Sequence, residues 1–399
     1  MITLTNADAA LKDYYLDALS SQLNGGISPF FNAIEKSAQY VYGKNARCAL
    51  VKGDMSRVVT GDEDGELPEA SGNTYYDVTL PLKNIYGTIA ITDKAMRASQ
   101  DSSGAFVNLL NAEMEGLISD AKDNFSRMLF GDGNGLIAYI NKANSSTSFT
   151  LSSVKSWFKG LTVDIADATG TKYAVQNLKI TAVDTQTNTI TVNTPVVSHS
   201  SYEGYPVVIS GVYGKELTGL AAIFDGATLY GHTKASEDLF NPYVQYCEEV
   251  TEDAIISAIE AIEERGGGKV KMIICSHAVR NKIAALFRDM RVISSPEVTA
   301  GYTSVYVNDI PVYADRFCPS DRVFLLNPDD FVLCQLCDWE WMEDDGGRIL
   351  TRVAGKAAYN ATLVKYAELI CRRPYAQGML QIEYVEDSSS TTPSGDSEG

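Results

Sequence analysis

The chain is short of the residues that most often carry chemistry. Among 399 residues there are three histidines, His199, His232 and His277, each isolated in sequence, so neither a paired-histidine zinc spacing nor a Ser/His relay assembles from neighbours. His277 follows Ser276 without a G-x-S-x-G elbow and reads as a first-turn helix residue. Positive charge is also scarce. Lys and Arg number 33 against 51 Asp and Glu, a formal charge of -18, which argues against tight nucleic-acid binding, because that affinity rises with each phosphate neutralised. No run of about 18 apolar residues could cross a bilayer, and MITLTNADAALKDYY has neither the basic nor the apolar region of a secretion signal. No membrane association is expected.

The seven cysteines, Cys48, Cys247, Cys275, Cys318, Cys334, Cys337 and Cys371, are odd in number and scattered, which suits free thiols in a reducing compartment. Cys334 and Cys337 make one CxxC, but an alternating strand points them to opposite faces, and no second pair completes a zinc site. GDGNG, Gly131 to Gly135, follows a helix where a dinucleotide loop would follow a strand, so it is a helix stop. The run Gly266 to Lys269 continues into Val270, where a phosphate loop needs Ser or Thr. The acidic clusters Asp62 to Glu66 and Glu343 to Asp345 lack the spacing of a calcium loop. No tandem repeat is present. The expectation is a protein that is not an enzyme and uses no cofactor or metal.

Apolar residues, by contrast, are plentiful. A hydrophobic content of 45% fills the cores of about two or three domains. The segment from about Thr5 to Gln22 has helical spacing, and PFFNAIEKSAQYV predicts a second helix. CALVKGDMSRVVT and NTYYDVTLPLKNIYGTIAITD are strand-like runs around GDEDGELPEASG, which predicts one long hairpin over 48–92 with an acidic, solvated tip. In NIYGTIAITDKAMRAS the period-two alternation runs straight into a helix N-cap. Two strands projecting without a helix behind them bury little alone and need a partner. A helix follows from Ala105 to Phe130, about 39 Å long at about 1.5 Å per residue.

Between about Asn144 and Tyr213 the pattern changes to short strands rich in Val, Ile and Thr, with a hairpin turn at Thr185 to Asn188, which predicts a small β-barrel. From Glu249 the pattern is α/β. VTEDAIISAIEAIEER predicts a helix with Ala254, Ile255, Ala258, Ile259 and Ile262 inward, closed by Gly266 to Gly268. KVKMIIC is a buried strand, Asn308-Asp309 is a hairpin turn, and Pro328-Asp329-Asp330 breaks RVFLL from FVLCQLCDWEWM. DSSSTTPSGDSEG is a disordered tail by composition.

IYGTIAITDKAMRAS feeding AFVNLLNAEMEGLISDAKDNFSRMLFGDG, then SHAVRNKIAAL, then NDIPVYADRFCPSDRVFLLNPDDF, resembles the major capsid proteins of tailed bacteriophages, the Hong Kong 97 type. The resemblance implies an α+β fold divided as follows: an N-terminal arm over 1–47, an extended hairpin loop over 48–92, and a peripheral domain with its spine helix over 93–139. An inserted barrel would span 140–213, with the peripheral domain continuing over 214–248. An axial domain would cover 249–346, a return into the peripheral domain 347–386, and a tail 387–399. It implies a subunit that self-assembles as pentamers and hexamers into an icosahedral shell around double-stranded DNA, without sequence-specific binding. Separate scaffolding, portal and decoration proteins would be its partners, and the virion its location after assembly in the host cytoplasm. Contacts between subunits would come from Arg57, Asp62, Glu63, Asp64, Glu66, Tyr75, Tyr76, Ile85 and Ile89. Two other readings compete: a nanocompartment shell of the encapsulin kind, and a β-rich ligand-binding or adhesin protein suggested by 22 tyrosines.

Overall fold

A computed structural model describes residues 28–52, 60, 72–94, 103–154, 159–167, 173–286, 305–344 and 347–383. In chain order the elements begin with α1 (Pro29–Ala33), β1 (Glu35–Ser37), β2 (Val41–Tyr42), β3 (Asn45–Lys52), β4 (Thr74–Pro81), β5 (Lys83–Thr92) and α2 (Ser103–Phe130). There follow β6 (Leu136–Ser145), β7 (Ser148–Leu151), β8 (Thr162–Ala166), β9 (Tyr173–Asp184), β10 (Thr189–Val192) and β11 (Pro206–Ile209). Next come α3 (Leu220–Phe224), β12 (Thr228–Leu229), β13 (His232–Thr233), β14 (Tyr243–Cys247), α4 (Glu252–Gly266), β15 (Met272–Cys275) and α5 (His277–Leu286). The last are β16 (Val305–Val307), β17 (Ile310–Ala314), β18 (Arg322–Leu326), β19 (Phe331–Trp341), β20 (Thr351–Arg352), β21 (Ala358–Cys371) and β22 (Gly378–Ile382). The fold mixes helix and sheet and is rich in strand. It divides into two compact units: Met1–Asn241 with Pro328–Pro374, and Pro242–Asn327 with Tyr375–Gly399.

The first unit is built on a five-stranded sheet ordered β1-β19-β21-β20, with β5 also paired to β21. That last pairing overturns the single hairpin expected over 48–92. β3 and β4 do pair, from Asn45 opposite Pro81 to Lys52 opposite Thr74, and with β2 they form a separate three-stranded sheet. β5 instead runs antiparallel to β21, from Lys83 opposite Ala367 to Thr92 opposite Ala358. Its alternation is as expected, but its inward face is covered by its own chain: Ile89 and Ile91 are each 6% exposed. Gly87 lies so close to α2 that a Cβ there would stand 2.7 Å from a Leu117 methyl. Over its 28 residues α2 is about 42 Å long at about 1.5 Å per residue.

The helix expected over PFFNAIEKSAQYV is also corrected, since only Pro29–Ala33 is helical. Ser28 accepts the Phe30 N–H, Pro29 pre-sets the first turn, and Ile34 then turns extended at φ -83° and ψ 152°. The chain leaves the helix because Glu35–Ser37 pairs in parallel with β19, and Arg372 holds Glu35 at 2.6 Å. Phe30 and Phe31, both fully buried, pack edge-on against Phe331 and Phe125. The segment Thr5 to Gln22 lies outside the described residues.

Strands β6 to β11 close into a barrel in the order β10-β7-β6-β11-β8-β9, filled by Ile140, Phe149, Leu151, Ile165, Ile180 and Val207 among others. At the β9–β10 turn the Asp184 carboxylate accepts the Gln186 N–H and Asn188 takes the left-handed conformation at φ 49°.

In the second unit a six-stranded sheet is ordered β14-β22-β18-β15-β17-β16. Helix α4 starts where Thr251 accepts the Ala254 N–H and stops at left-handed Gly267. Its Ile255, Ala258 and Ile262 are buried in one core with Val279 and Ile283 of α5 and Ile273, Val323 and Leu380 of the sheet. Asn308 and Asp309, both at positive φ, make the tight turn between β16 and β17. The first stretch of the unit ends at Asn327 and the unit resumes at Tyr375, whereas the sequence division carried this domain to 346 and gave 347–386 to the other. The short helical turn Pro328–Asp330 separates β18 from β19, and β19 pairs with β21 in the first unit.

Two glycines permit a direct test of close packing. A Cβ at Gly219 would lie 2.3 to 2.7 Å from the Met128, Gly131 and Leu129 carbonyl oxygens, which are fixed backbone. Gly219→Ala is therefore expected to cost about 3 kcal/mol, while Gly87→Ala, which meets only a movable Leu117 tip, costs less than half as much; urea unfolding of the two variants checks the order.

Candidate functional site

The β3–β4 ribbon presents one covered and one open face. Ala46, Cys48, Leu50 and Val78 are buried. On the open side Val51 and Tyr75 stand directly opposite each other, 40% and 66% exposed. Beside them the Arg47 guanidinium grips Asp77 through Nε to Oδ1 at 2.9 Å and Nη2 to Oδ2 at 2.6 Å. That fork holds the Asp77 carboxyl below its ordinary range. Tyr42 on neighbouring β2 is exposed too. Tyr42, Tyr75 and Arg47 on this open strip are of residue types enriched at interfaces.

The other face of the ribbon is tied to its own chain. Tyr76 packs edge-on to Phe240 at 5.4 Å and to His232 at 5.6 Å, His232 stacks on Phe240 at 4.3 Å, and the Tyr76 hydroxyl donates to Glu237. This donation to a carboxylate raises the Tyr76 pKa. Lys52 reaches Asp238 at 3.9 Å.

Of the residues expected to touch neighbouring subunits, Tyr75 lies on the open face. Tyr76 is engaged within the chain, and Ile89 is covered by it. Ile85 is half-buried on the same side of β5 as Ile89. Arg57, Asp62, Glu63, Asp64 and Glu66 lie outside the described residues. Sequence reasoning missed Arg47, Val51 and Asp77, although strand alternation from buried Cys48 and Leu50 signals that Arg47 and Val51 face out. It also missed Tyr86, which stands exposed on the outer face of β5 at 6.2 Å from the Tyr366 ring.

Lys365 and Glu368 are fully buried charged residues of the interior. Burial pushes the Cys275 and Cys334 thiols up to about 12, so they stay protonated and are poor nucleophiles and metal ligands. All seven cysteines are free. Among the described residues no group of three His, Cys, Asp or Glu side chains could hold a metal ion, and no helix is long and apolar enough to cross a membrane. Lys365, fully buried, donates to Asp338 at 2.6 Å and Gln335 at 3.0 Å, and lies over the Phe125 and Trp339 rings.

Residues 210–347 match the family model of the SU10 major capsid protein. No curated protein matches the chain. Among solved structures, the capsid subunit of cyanophage A-1(L) is similar at 12% identity, with a TM-score of 0.52 over 88% of this chain and 90% of that one. The capsid of a native GTA particle is similar at 9% identity, with a TM-score of 0.51 over 91% of each chain. The fold is therefore that of the phage shell proteins. The family match covers about a third of the chain, and the two shell subunits share its fold.

The buried lysine gives an asymmetric expectation. Asp338→Ala removes the carboxylate hydrogen-bonded to the Lys365 ammonium, leaving it the neutral Gln335 oxygen and two ring faces, and is expected to cost about 3 kcal/mol, whereas Lys365→Met, which removes the buried charge, costs well under half of that; chemical unfolding at neutral pH measures both.

Proposed function

We propose that the chain is the major capsid protein of a tailed phage, assembling through pentamers and hexamers into an icosahedral shell that encloses double-stranded DNA. The observation that carries this reading is the phage-shell fold spread over most of the chain. In this reading β3–β4 is the stem of an extended loop, α2 the spine of the peripheral domain, the second unit the axial domain, and the β6–β11 barrel an insertion. Arg47, Val51, Tyr75 and Asp77 lie against a neighbouring subunit, together with the acidic residues Asp62, Glu63, Asp64 and Glu66, and Arg57. Closed symmetry then gives stability through many individually weak joints.

The charge of -18 fits a wall that lets DNA move past without gripping its phosphates. Scaffolding, portal and decoration proteins act as separate chains, and the shell assembles in the host cytoplasm before residing in the virion.

Negative-stain microscopy and sedimentation of the expressed protein, alone and with its assembly partners, test the proposal. Closed shells that protect DNA from nuclease support it. Shells filled with a protein cargo point to a nanocompartment instead, and a persistent monomer counts against any shell. The double variant Val51→Asp, Tyr75→Asp, altered only on the open face, is expected to keep the wild-type circular dichroism and thermal transition while each joint weakens about tenfold, the effect of losing about 1.4 kcal/mol, so that closed shells are lost. Normal shells from it would remove the ribbon's open face from the interface.

A further inference from the structure

The segment from Gly214 to Gly219, which leads away from the barrel, is held by charged side chains from three other elements. Lys83 Nζ of β5 donates to the Gly214 carbonyl at 3.1 Å. Arg127, in the last turn of α2, pairs with Glu216 through both nitrogens of its fork, the two side chains being 12% and 3% exposed. Glu368 of β21 accepts the Thr218 N–H at 2.7 Å and the Leu369 N–H at 3.1 Å, both on Oε1. The Glu216 N–H also donates to the Gly133 carbonyl at 3.2 Å, in the loop that enters the barrel. Both connections of the barrel thus pass through one junction.

Its two buried carboxylates are treated differently. Glu216 is neutralised by Arg127. Glu368 is fully buried, and its Oε2 has no hydrogen-bond partner among the described residues. The groups facing it are Lys83 from β5, Tyr230 from the turn between β12 and β13, and Cys334 from β19. Burial holds both the Tyr230 hydroxyl and the Cys334 thiol neutral well above neutral pH, so Lys83 is the cation among these that answers an ionised Glu368. At present Lys83 is committed to Gly214.

We propose that Glu368 is a proton-operated catch on this junction: protonated, it leaves Lys83 on Gly214 and the segment closed; ionised, its uncovered Oε2 draws Lys83 away and loosens both connections of the barrel. Burial raises the carboxyl to about 7, against the opposing pull of the Thr218 N–H, Lys83, the Leu369 N–H and the Thr218 hydroxyl. Because the folded protein holds this proton more tightly than the unfolded chain, the stabilisation is full below the unfolded value of 4.5. It is lost as pH rises through about 7.

Hydrogen–deuterium exchange of the full chain between about pH 5.5 and about pH 8.5, corrected for intrinsic rates and followed in peptides covering residues 211–219, tests the catch. In the wild type, corrected exchange is expected to rise by up to about tenfold per pH unit as pH climbs towards the folded value of about 7 and to level off above it. In Glu368→Gln, which keeps the acceptor for Thr218 and cannot ionise, it stays slow and flat. In Lys83→Met the midpoint moves upward. Identical wild-type and Glu368→Gln profiles would overturn the proposal. Should Glu368→Gln fail to fold, isotope-edited infrared titration of the wild-type carboxyl replaces it: a midpoint near neutrality supports the catch, and one in the ordinary glutamate range overturns it.

Discussion

The first unit depends on satisfying the backbone of β21. This strand of 14 residues is largely buried, and each unpaired buried N–H or C=O would cost about 1–3 kcal/mol. β19 covers it from Phe331 opposite Cys371 to Trp341 opposite Leu363. β5 covers it from Ala358 to Ala367, and β20 adds two pairs near its start. Partners therefore come from widely separated stretches of chain. That demand takes β5 away from the ribbon and makes Ile89 and Ile91 part of the core.

Two charges three residues apart on β21 show how the interior handles what it cannot hydrate. Lys365 has a carboxylate and an amide oxygen in direct contact, so its ammonium is retained although burial lowers its pKa. Glu368 has two backbone N–H groups on one oxygen and none on the other. A buried carboxyl so incompletely matched responds by holding its proton. The difference lies in the partners each side chain meets, not in the depth of burial, since both are fully covered.

Local structure was largely legible from the chain. The caps and apolar face of α4, the Asn308-Asp309 turn, the Gly131 stop of α2 and the break at Pro328–Asp330 all follow from residue types at fixed spacing. Pairing was less legible, because the alternation of Ile85, Gly87, Ile89 and Ile91 defines a face without saying what covers it. Pro81 was the available signal: a proline closing a strand run marks where the ladder stops, and the chain changes sheets there. At Ile34 the helical propensity of the following residues lost to pairing with β19, a contact some three hundred positions away that no local rule encodes. The exposure of Tyr75 follows from strand alternation, but a charged residue in a strand-like run such as AELICRR reads as solvated, so buried Glu368 left no trace in the pattern.

Residues that build the fold and residues on the open ribbon obey different constraints. Core positions accept other apolar side chains if volume and pattern are kept, which suits a fold held in common with shell subunits at 9% and 12% identity. Gly219 is an exception, since three carbonyl oxygens occupy the space of any Cβ. The Arg47–Asp77 fork and Tyr75 are solvated in the isolated chain, where an exposed ion pair adds little to folding. Covered by a neighbouring surface, the same fork becomes selective: its two charges must meet matching groups or remain costly and unpaired. An ordered, bidentate pair on an open strand is thus better suited to choosing a partner and setting its register than to holding the monomer together.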